Sequence, residues 1–162
     1  MIEPLFTLRP ITRTDAEAIA SWRYPDPYQL YNYEPKDRSE AVANLLDPAH
    51  HYYAVFGDAA DLIAFRCFGP DARVAGGDYS EDALDMGGGL RPDLTGRGLG
   101  RSVISEAMAF GRETFRPTRF RTTVASFNLR ALHVCRSLGY RPVSEFTRQS
   151  DQRRFTILTQ DT

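Results

Sequence analysis

Three glycines at alternate positions mark the segment Leu90-Arg91-Pro92-Asp93-Leu94-Thr95-Gly96-Arg97-Gly98-Leu99-Gly100-Arg101-Ser102. A strand-like pattern leads into this segment, and a long amphipathic helix pattern begins inside the glycines. The first turn of a helix has unpaired N–H groups and a partial positive charge. Glycines remove the Cβ atoms that would keep an anion away, and Arg97 and Arg101 add positive charge at the rim. The segment is therefore predicted to hold a phosphate group.

Two common phosphate-binding motifs do not fit this segment. A P-loop needs G-x-x-x-x-G-K-[ST], but Gly100 is followed by Arg101, and the residue five positions before Gly100 is Thr95. A dinucleotide fingerprint needs G-x-G-x-x-G near the first strand-helix unit. Here Gly96, Gly98 and Gly100 are evenly spaced and lie past the middle of the chain, so that interpretation is also poor.

The hydrophobic pattern outward from this segment predicts a sheet with helices packed on it. Thr12 or Thr14 would cap the first helix, Ser39 the second, and Gly139 fits the C-terminal cap of the last. Helices are expected at 15–22, 39–46, 98–115 and from Asn128 to about 138, and strands at 5–9, 51–56, 62–68, 83–91, 120–125, 140–148 and 154–159. Strands outnumber helices and many connections are short, which indicates an α+β or mixed α/β fold.

The glycine segment resembles the acetyl-CoA loop of the GNAT (GCN5-related) N-acetyltransferases. That loop reads Q/R-x-x-G-x-G/A, and Thr95-x-x-Gly98-x-Gly100 matches it except at the first position. The preceding Gly87-Gly88-Gly89-Leu90-Arg91-Pro92 resembles the bulged strand of the family. Three further pieces are similar to family motifs in order along the chain: Leu8-Arg9-Pro10-Ile11-Thr12 at the start, Asn128-Leu129-Arg130-Ala131 at the second signature helix, and Leu138-Gly139-Tyr140 at its end.

The resemblance implies one GNAT domain over residues 1–162, with a mixed, mostly antiparallel twisted sheet of about 6–7 strands and helices on both faces. In this family two central strands part at the bulge and the pantetheine arm of acetyl-CoA inserts between them. By resemblance, backbone groups around Leu90 pair with that arm and face the thioester oxygen. The pyrophosphate is expected on amides of Arg97, Gly98, Leu99, Gly100, Arg101 and Ser102. Asn128 often bonds the cofactor in the family, and it also fits the N-cap of the helix it precedes.

The implied reaction is direct attack of a neutral amine on the thioester, and it requires a base. An alkylammonium has a pKa near 10.4 and must first lose its proton, to a carboxylate or to an ordered water. Asp85 lies where many relatives carry Glu, and it is our candidate for the base or for holding the water. The alternative is an exposed carboxylate at a sheet edge. Glu34 and Asp37, from the aromatic segment, are the fallback candidates.

The group that protonates the departing CoA thiolate is left open by the sequence. The family usually has Tyr in the second signature helix, and this chain has Cys135 at that position. A thiol can donate a proton, but Cys135 also lies on the apolar stripe of its helix, which favours a buried, inert cysteine. Tyr140 or water can donate instead.

Aromatic residues cluster before the second helix, where the family forms one wall of the acceptor pocket. They are Trp22, Tyr24, Tyr28, Tyr31 and Tyr33. Aromatic walls suit a small-molecule amine, an aminoacyl end or a peptide terminus. The alternative is that they pack the first helices on the sheet, and about half are expected to do so.

Composition limits the remaining classes of function. With 162 residues, 42% hydrophobic residues and 25% charged residues, the chain is typical of one globular domain. Net charge is −1, with 20 basic and 21 acidic residues, which argues against a nucleic-acid partner. No apolar run is long enough to span a bilayer, and the three histidines and two cysteines lack metal-ligand spacing. We expect a cytoplasmic, metal-free protein, with a homodimer among the oligomeric states that the sequence leaves open, and keep a non-catalytic acyl-CoA-binding module as the alternative function.

Overall fold

The computed structural model describes residues 6–162, so Leu5 of the predicted first strand lies outside the described residues. Within this range the chain folds into a seven-stranded sheet and four α-helices. The strands are β1 Thr7–Pro10, β2 Tyr52–Phe56, β3 Leu62–Phe68, β4 Leu84–Leu90, β5 Arg119–Ala125, β6 Arg141–Arg148 and β7 Arg153–Asp161. The helices are α1 Arg13–Ser21, α2 Arg38–Leu46, α3 Leu99–Phe115 and α4 Leu129–Ser137.

The strand order across the sheet is β1-β2-β3-β4-β5-β7-β6. Every neighbouring pair is antiparallel except β4 and β5, which run parallel at the centre. A parallel pair needs a crossover connection, and α3 supplies it. This is the mixed, mostly antiparallel sheet predicted from the sequence.

Helices cover both faces of this sheet. Phe65 and Phe68 on β3 lie on opposite faces, because their positions differ by an odd number. Phe65 packs with the cluster of α1 and α2 that contains Ile19 and Leu45. Phe68 packs with the cluster that includes Met108 of α3 and residues of α4. The predicted arrangement of helices on both faces is confirmed.

One of the predicted N-terminal caps of the helices differs from the structure. Thr12 caps α1 as predicted: its side chain accepts from the Asp15 N–H, and Asp15 bonds back to the Thr12 N–H. The prediction that Ser39 caps α2 is wrong, because α2 begins one residue earlier, at Arg38. The short turn Pro35–Asp37 leads directly into this helix, so Ser39 already lies inside its first turn.

Candidate acyl-donor and amine site

The centre of the sheet opens into a gap between β4 and β5. These strands pair only from Leu84 with Phe120 to Met86 with Thr122, although both strands continue for several residues beyond. Gly88 has φ +148°, and a Cβ there would lie 2.1 Å from the Phe65 carbonyl oxygen. Only glycine fits such a position. The three glycines of β4 therefore shape the strand where it leaves its parallel partner.

Backbone groups of β4 face this gap. The Arg91 N–H donates to the Ile63 carbonyl of β3 at 2.7 Å. The carbonyl of Leu90 points the other way and accepts from the Tyr24 hydroxyl at 2.7 Å. Backbone groups of alternate residues on one strand face opposite neighbours, so Leu90 presents its peptide groups to the open side. Its pairing with an inserted arm stays a prediction.

The N-terminus of α3 lies just beyond the end of β4. Gly98 is its N-cap residue, with φ +81° and no side-chain cap. A Cβ at Gly98 would meet nothing within 4 Å. The N–H groups of Leu99, Gly100 and Arg101 have no partner within the helix, and no other described backbone group accepts from them. This end of the helix is an open, positively polarised cradle.

The arginines around this cradle divide into two groups. Arg101 is committed to the end of α4, because its Nε donates to the Ser137 hydroxyl at 3.2 Å. Arg97 is exposed. Arg130, which the sequence analysis did not select, brings Nη1 within 3.3 Å of the position of a Gly96 Cβ. Its place in the Asn128-Leu129-Arg130-Ala131 motif was the available signal.

Asn128 has two structural roles. Its Oδ1 accepts from the Ala131 N–H at 3.2 Å and caps α4. Its Nδ2 donates to the Tyr31 hydroxyl at 3.1 Å. The N-cap interpretation is confirmed, and the amide also ties the aromatic segment to the start of α4; a bond to the cofactor stays a prediction.

The aromatic residues separate into a sheet-packing member and a group that crosses the gap. Trp22 lies 6.1 Å from Phe65, centroid to centroid, and packs with the α1–α2 cluster. Tyr28 stacks on Tyr31 with ring centroids 6.5 Å apart, and it lies 5.8 Å from Phe127 in the turn just after β5. Together with the Tyr24 bond to β4, these contacts carry the segment from one parted strand to the other. Two further arginines cover it: Arg130 over Tyr28 and Arg153 over Phe127.

Asp85 is buried in an ion-pair network at the closed end of the gap. It is 2% exposed, so the sequence-based alternative of an exposed edge carboxylate is wrong. Arg121 binds it with two hydrogen bonds of 2.7 and 2.8 Å, and the Arg73 Nε adds a third at 2.8 Å. Both guanidinium groups lie over the Tyr79 ring. With both oxygens engaged, this carboxylate joins β4 to β5, and the geometry argues against its use as a base.

Cys135 and Tyr140 lie together on the α3–α4 face, 4% and 3% exposed. Burial raises the pKa of Cys135 to about 11, and Arg66 partly offsets the rise. Burial also raises the pKa of Tyr140. The Tyr140 hydroxyl contacts the Met86 sulfur at 3.8 Å, where β4 and β5 stop pairing. Both groups are therefore protonated at neutral pH and lie near the apex of the gap.

A mixed sheet whose parallel central strands part beside an uncapped helix N-terminus is the arrangement that the resemblance to GNAT proteins implies. The family model of the acetyltransferase (GNAT) domain matches residues 6–141. The chain therefore belongs to the GNAT acetyltransferase family, as the motifs predicted. No curated protein sequence matches it.

Solved structures share this fold over nearly the whole chain. A spermidine N-acetyltransferase chimera of Vibrio cholerae SpeG and hSSAT has TM-score 0.73 and 16% identity, covering 97% of this chain and 95% of that one. A GNAT-family acetyltransferase from Bacillus anthracis has TM-score 0.75 and 13% identity, covering 96% and 94%. The dodecameric spermidine N-acetyltransferase from Vibrio cholerae has TM-score 0.67 and 16% identity, covering 98% and 95%. At these identities the likeness shows the shared fold.

Among residues 6–162, none of the helices combines the length and the apolar character needed to cross a bilayer.

Proposed function

We propose that the protein transfers an acetyl group from acetyl-CoA to a primary amine, by direct attack within a ternary complex. The observation that carries this proposal is the parting of β4 and β5 beside the glycine N-cap of α3. The acceptor is a small-molecule amine, an aminoacyl end or a peptide terminus. The spermidine N-acetyltransferases among the structural neighbours support the first of these.

The residues around the gap fit the donor. The open space at Gly98 and the free amides of the first turn of α3 suit a diphosphate. Arg97 and Arg130 stand at the mouth and add positive charge. Acetyl-CoA supplies an activated acyl group as a thioester. The peptide groups of Leu90 face the place where its arm would lie, so a backbone donor there is set toward the acyl oxygen before reaction.

Proton transfer is assigned to water on the acceptor side. The amine must be neutral to attack, and Asp85 has both oxygens bound to guanidinium groups. Glu34 and Asp37 lie exposed at the turn before α2 and remain secondary candidates. We infer that water entering beside Tyr24 takes the amine proton, and that protonated Tyr140 faces the sulfur side of the gap.

The bridge of aromatic residues defines the acceptor wall in this proposal. Tyr24, Tyr28 and Tyr31 span the gap, whereas Trp22 supports α1 from below. Aromatic faces attract alkylammonium groups. β6 is one of the two edge strands of the described sheet, and its residues are largely exposed, so pairing with a second copy through this edge is our proposal for a homodimer.

A binding experiment tests the donor site. We expect CoA to bind in titration calorimetry, with affinity that falls as salt is raised. Gly98→Ala places a methyl group into the cradle at a left-handed position, and we expect it to weaken CoA binding at least tenfold. Gly69→Ala is the matched control. Gly69 also has a positive φ, +113°, but it lies in the loop just after β3, away from the start of α3. Equal losses in both variants would contradict the assignment.

A second experiment separates catalysis from binding alone. The engaged Asp85 and the buried Cys135 favour the alternative of an acyl-CoA-binding module, because neither offers an accessible catalytic group. CoA release from acetyl-CoA would be followed with a panel of polyamines, arylalkylamines, amino acids and peptides. Release stimulated by one class of amine supports the transferase. Tight acetyl-CoA binding without release across the panel supports the module.

A further inference from the structure

Arg66 is a buried cation without a counter-ion in the described part of the chain. It lies on β3 and is 7% exposed. Its Nε has no hydrogen-bond partner, and no described carboxylate forms an ion pair with it. A guanidinium cannot escape this situation by losing its proton, and an uncompensated buried charge is unfavourable. The position therefore calls for an anion that the polypeptide does not provide.

The guanidinium of Arg66 extends across β4 toward the gap. Arg66 pairs in register with Gly88, and its Nη1 lies 2.9 Å from the place where a Gly88 Cβ would stand. Gly88 has no side chain, so the arginine crosses β4 over this residue. Gly88 is also the second residue beyond the last β4–β5 pair, at Met86. The cation thus reaches the side of the sheet where the two strands part.

The titratable groups near Arg66 come from three parts of the fold, and none of them neutralises it. They are Cys135 of α4, Tyr140 after α4, and Cys67, its neighbour in β3, whose side chain points to the opposite face. Burial raises the pKa of Cys67 to about 12 and that of Cys135 to about 11. It also raises the pKa of Tyr140, which Arg112 of α3 slightly opposes. All three stay protonated at neutral pH, and Asp85 is already bound by two other arginines.

We propose that Arg66 is a catalytic residue whose guanidinium binds the CoA sulfur as negative charge develops on it. The inference rests on the proposed acetyl transfer. Cys135, beside Arg66, occupies the position that in the resembling family protonates this sulfur. A permanent cation beside this position can stabilise the thiolate where the acid of the resembling family is replaced by Cys135.

The step balances without a protein acid. A bond forms between the amine nitrogen and the acyl carbon, and the bond from that carbon to sulfur breaks. The electron pair remains on sulfur, the amine proton goes to water, and the thiolate is held by Arg66 until it is released. A charge-assisted hydrogen bond from a guanidinium that is already in place before the reaction stabilises such a thiolate.

The test measures the ionisation of bound CoA rather than turnover. The ultraviolet absorbance of thiolate would be recorded against pH for CoA and for desulfo-CoA bound to the wild type, Arg66→Met and Arg66→Lys. We expect the bound thiol in the wild type to have a pKa at least one unit below that of free CoA, a tenfold increase in thiolate. Arg66→Met should abolish the shift and Arg66→Lys should retain most of it, whereas desulfo-CoA should bind all three proteins equally.

Other results would overturn the proposal in distinguishable ways. An unshifted thiol in a wild-type complex that binds CoA refutes the role of Arg66 and leaves acetyl transfer intact. Tenfold tighter binding of succinyl-CoA than acetyl-CoA, lost in Arg66→Met, would assign Arg66 to an acyl carboxylate instead. Failure of wild-type protein to bind CoA at all would remove both this inference and the proposed function.

Discussion

Asp85 and Arg66 are both buried charges on adjacent central strands, and their surroundings are opposite. Asp85 lies where β4 and β5 still pair, and three hydrogen bonds from two guanidinium groups satisfy it. Arg66 lies opposite Gly88, where the strands have parted, and its Nε has no partner. A fully satisfied charge can only hold the sheet together. We infer that the unsatisfied one marks the half of the sheet that receives the proposed CoA arm.

The largest loss of stability is expected from Asp85→Asn, in the half of the sheet where β4 and β5 still pair. This change leaves Arg121, 3% exposed, as a buried cation without its carboxylate, which costs about 3–5 kcal/mol. Urea unfolding would measure the loss. Asp161→Asn is the control, because Asp161 pairs with Arg119 at a largely exposed position and should change stability by less than about 1 kcal/mol. A stable Asp85→Asn protein that has lost only turnover would restore Asp85 as the base.

A change in stability of the opposite sign is expected from Arg66→Met, in the half of the sheet where β4 and β5 have parted. Methionine keeps the apolar stem and removes a buried charge that has no partner, so the apo protein should be as stable as the wild type or more stable by about 1–4 kcal/mol. The same urea experiment measures it. A destabilisation as large as that of Asp85→Asn would erase the contrast between the two halves.

Alkaline pH should weaken the fold through the protonated groups beside Arg66. Cys135 ionises near 9 in a free chain but has a pKa of about 11 in the fold, so the native state binds more protons than the unfolded state between these values. Its stabilising contribution is complete below pH 9 and is lost as pH rises through 11. Two pKa units correspond to about 2–3 kcal/mol.

Urea midpoints at about pH 8 and pH 10.5 would measure this loss, and Cys135→Ala should reduce it. The variant should retain acetyl transfer within a few-fold, because the thiol is buried and protonated. In the background of Arg66→Met the alkaline loss should grow, since Arg66 lowers the pKa of Cys135. An unchanged pH dependence in Cys135→Ala would refute this origin.

The smallest change in stability is expected at Asn128, which ties the aromatic segment spanning the gap to the start of α4. Asn128→Ala removes the N-cap of α4 and should cost about 1 kcal/mol. Asn128→Ser keeps an oxygen for the Ala131 N–H but has no second polar atom to reach the Tyr31 hydroxyl. Its stability should stay near that of the wild type, whereas KM for the amine should rise several-fold. Parallel behaviour of the two variants would show that only the cap matters.

Local pattern was sufficient to predict most elements. The apolar repeat of α3 places Val103, Ala107 and Met108 in the core as expected, and the bounds of β3 are those predicted. Capping at Thr12 and Asn128 depends on residues three positions away. The prediction that Ser39 caps α2 was wrong because the Pro35–Asp37 turn leads directly into this helix. Motifs in sequence order were enough to indicate the family.

Long-range pairing decided what the sequence could not show. Asp85 looked like a candidate base, but a parallel register places Arg121 opposite it, and residue Arg73 reaches it from the loop after β3. The sequence around Arg66 does not indicate its proposed role, because that role depends on Gly88 of β4 and on residues of α4. The position of Arg130 beside Gly96 is likewise set by the tertiary structure. These relations join elements dozens of residues apart.

The sequence by itself determined where helices and strands form, which residues face the core, and the glycine-lined start of α3, because each follows from periodicity and capping among near neighbours. The tertiary structure alone decided which buried charges are satisfied. Burial makes a charge depend on whatever the fold brings within hydrogen-bond distance, and here that distinguishes the carboxylate that joins two strands from the guanidinium left facing the gap.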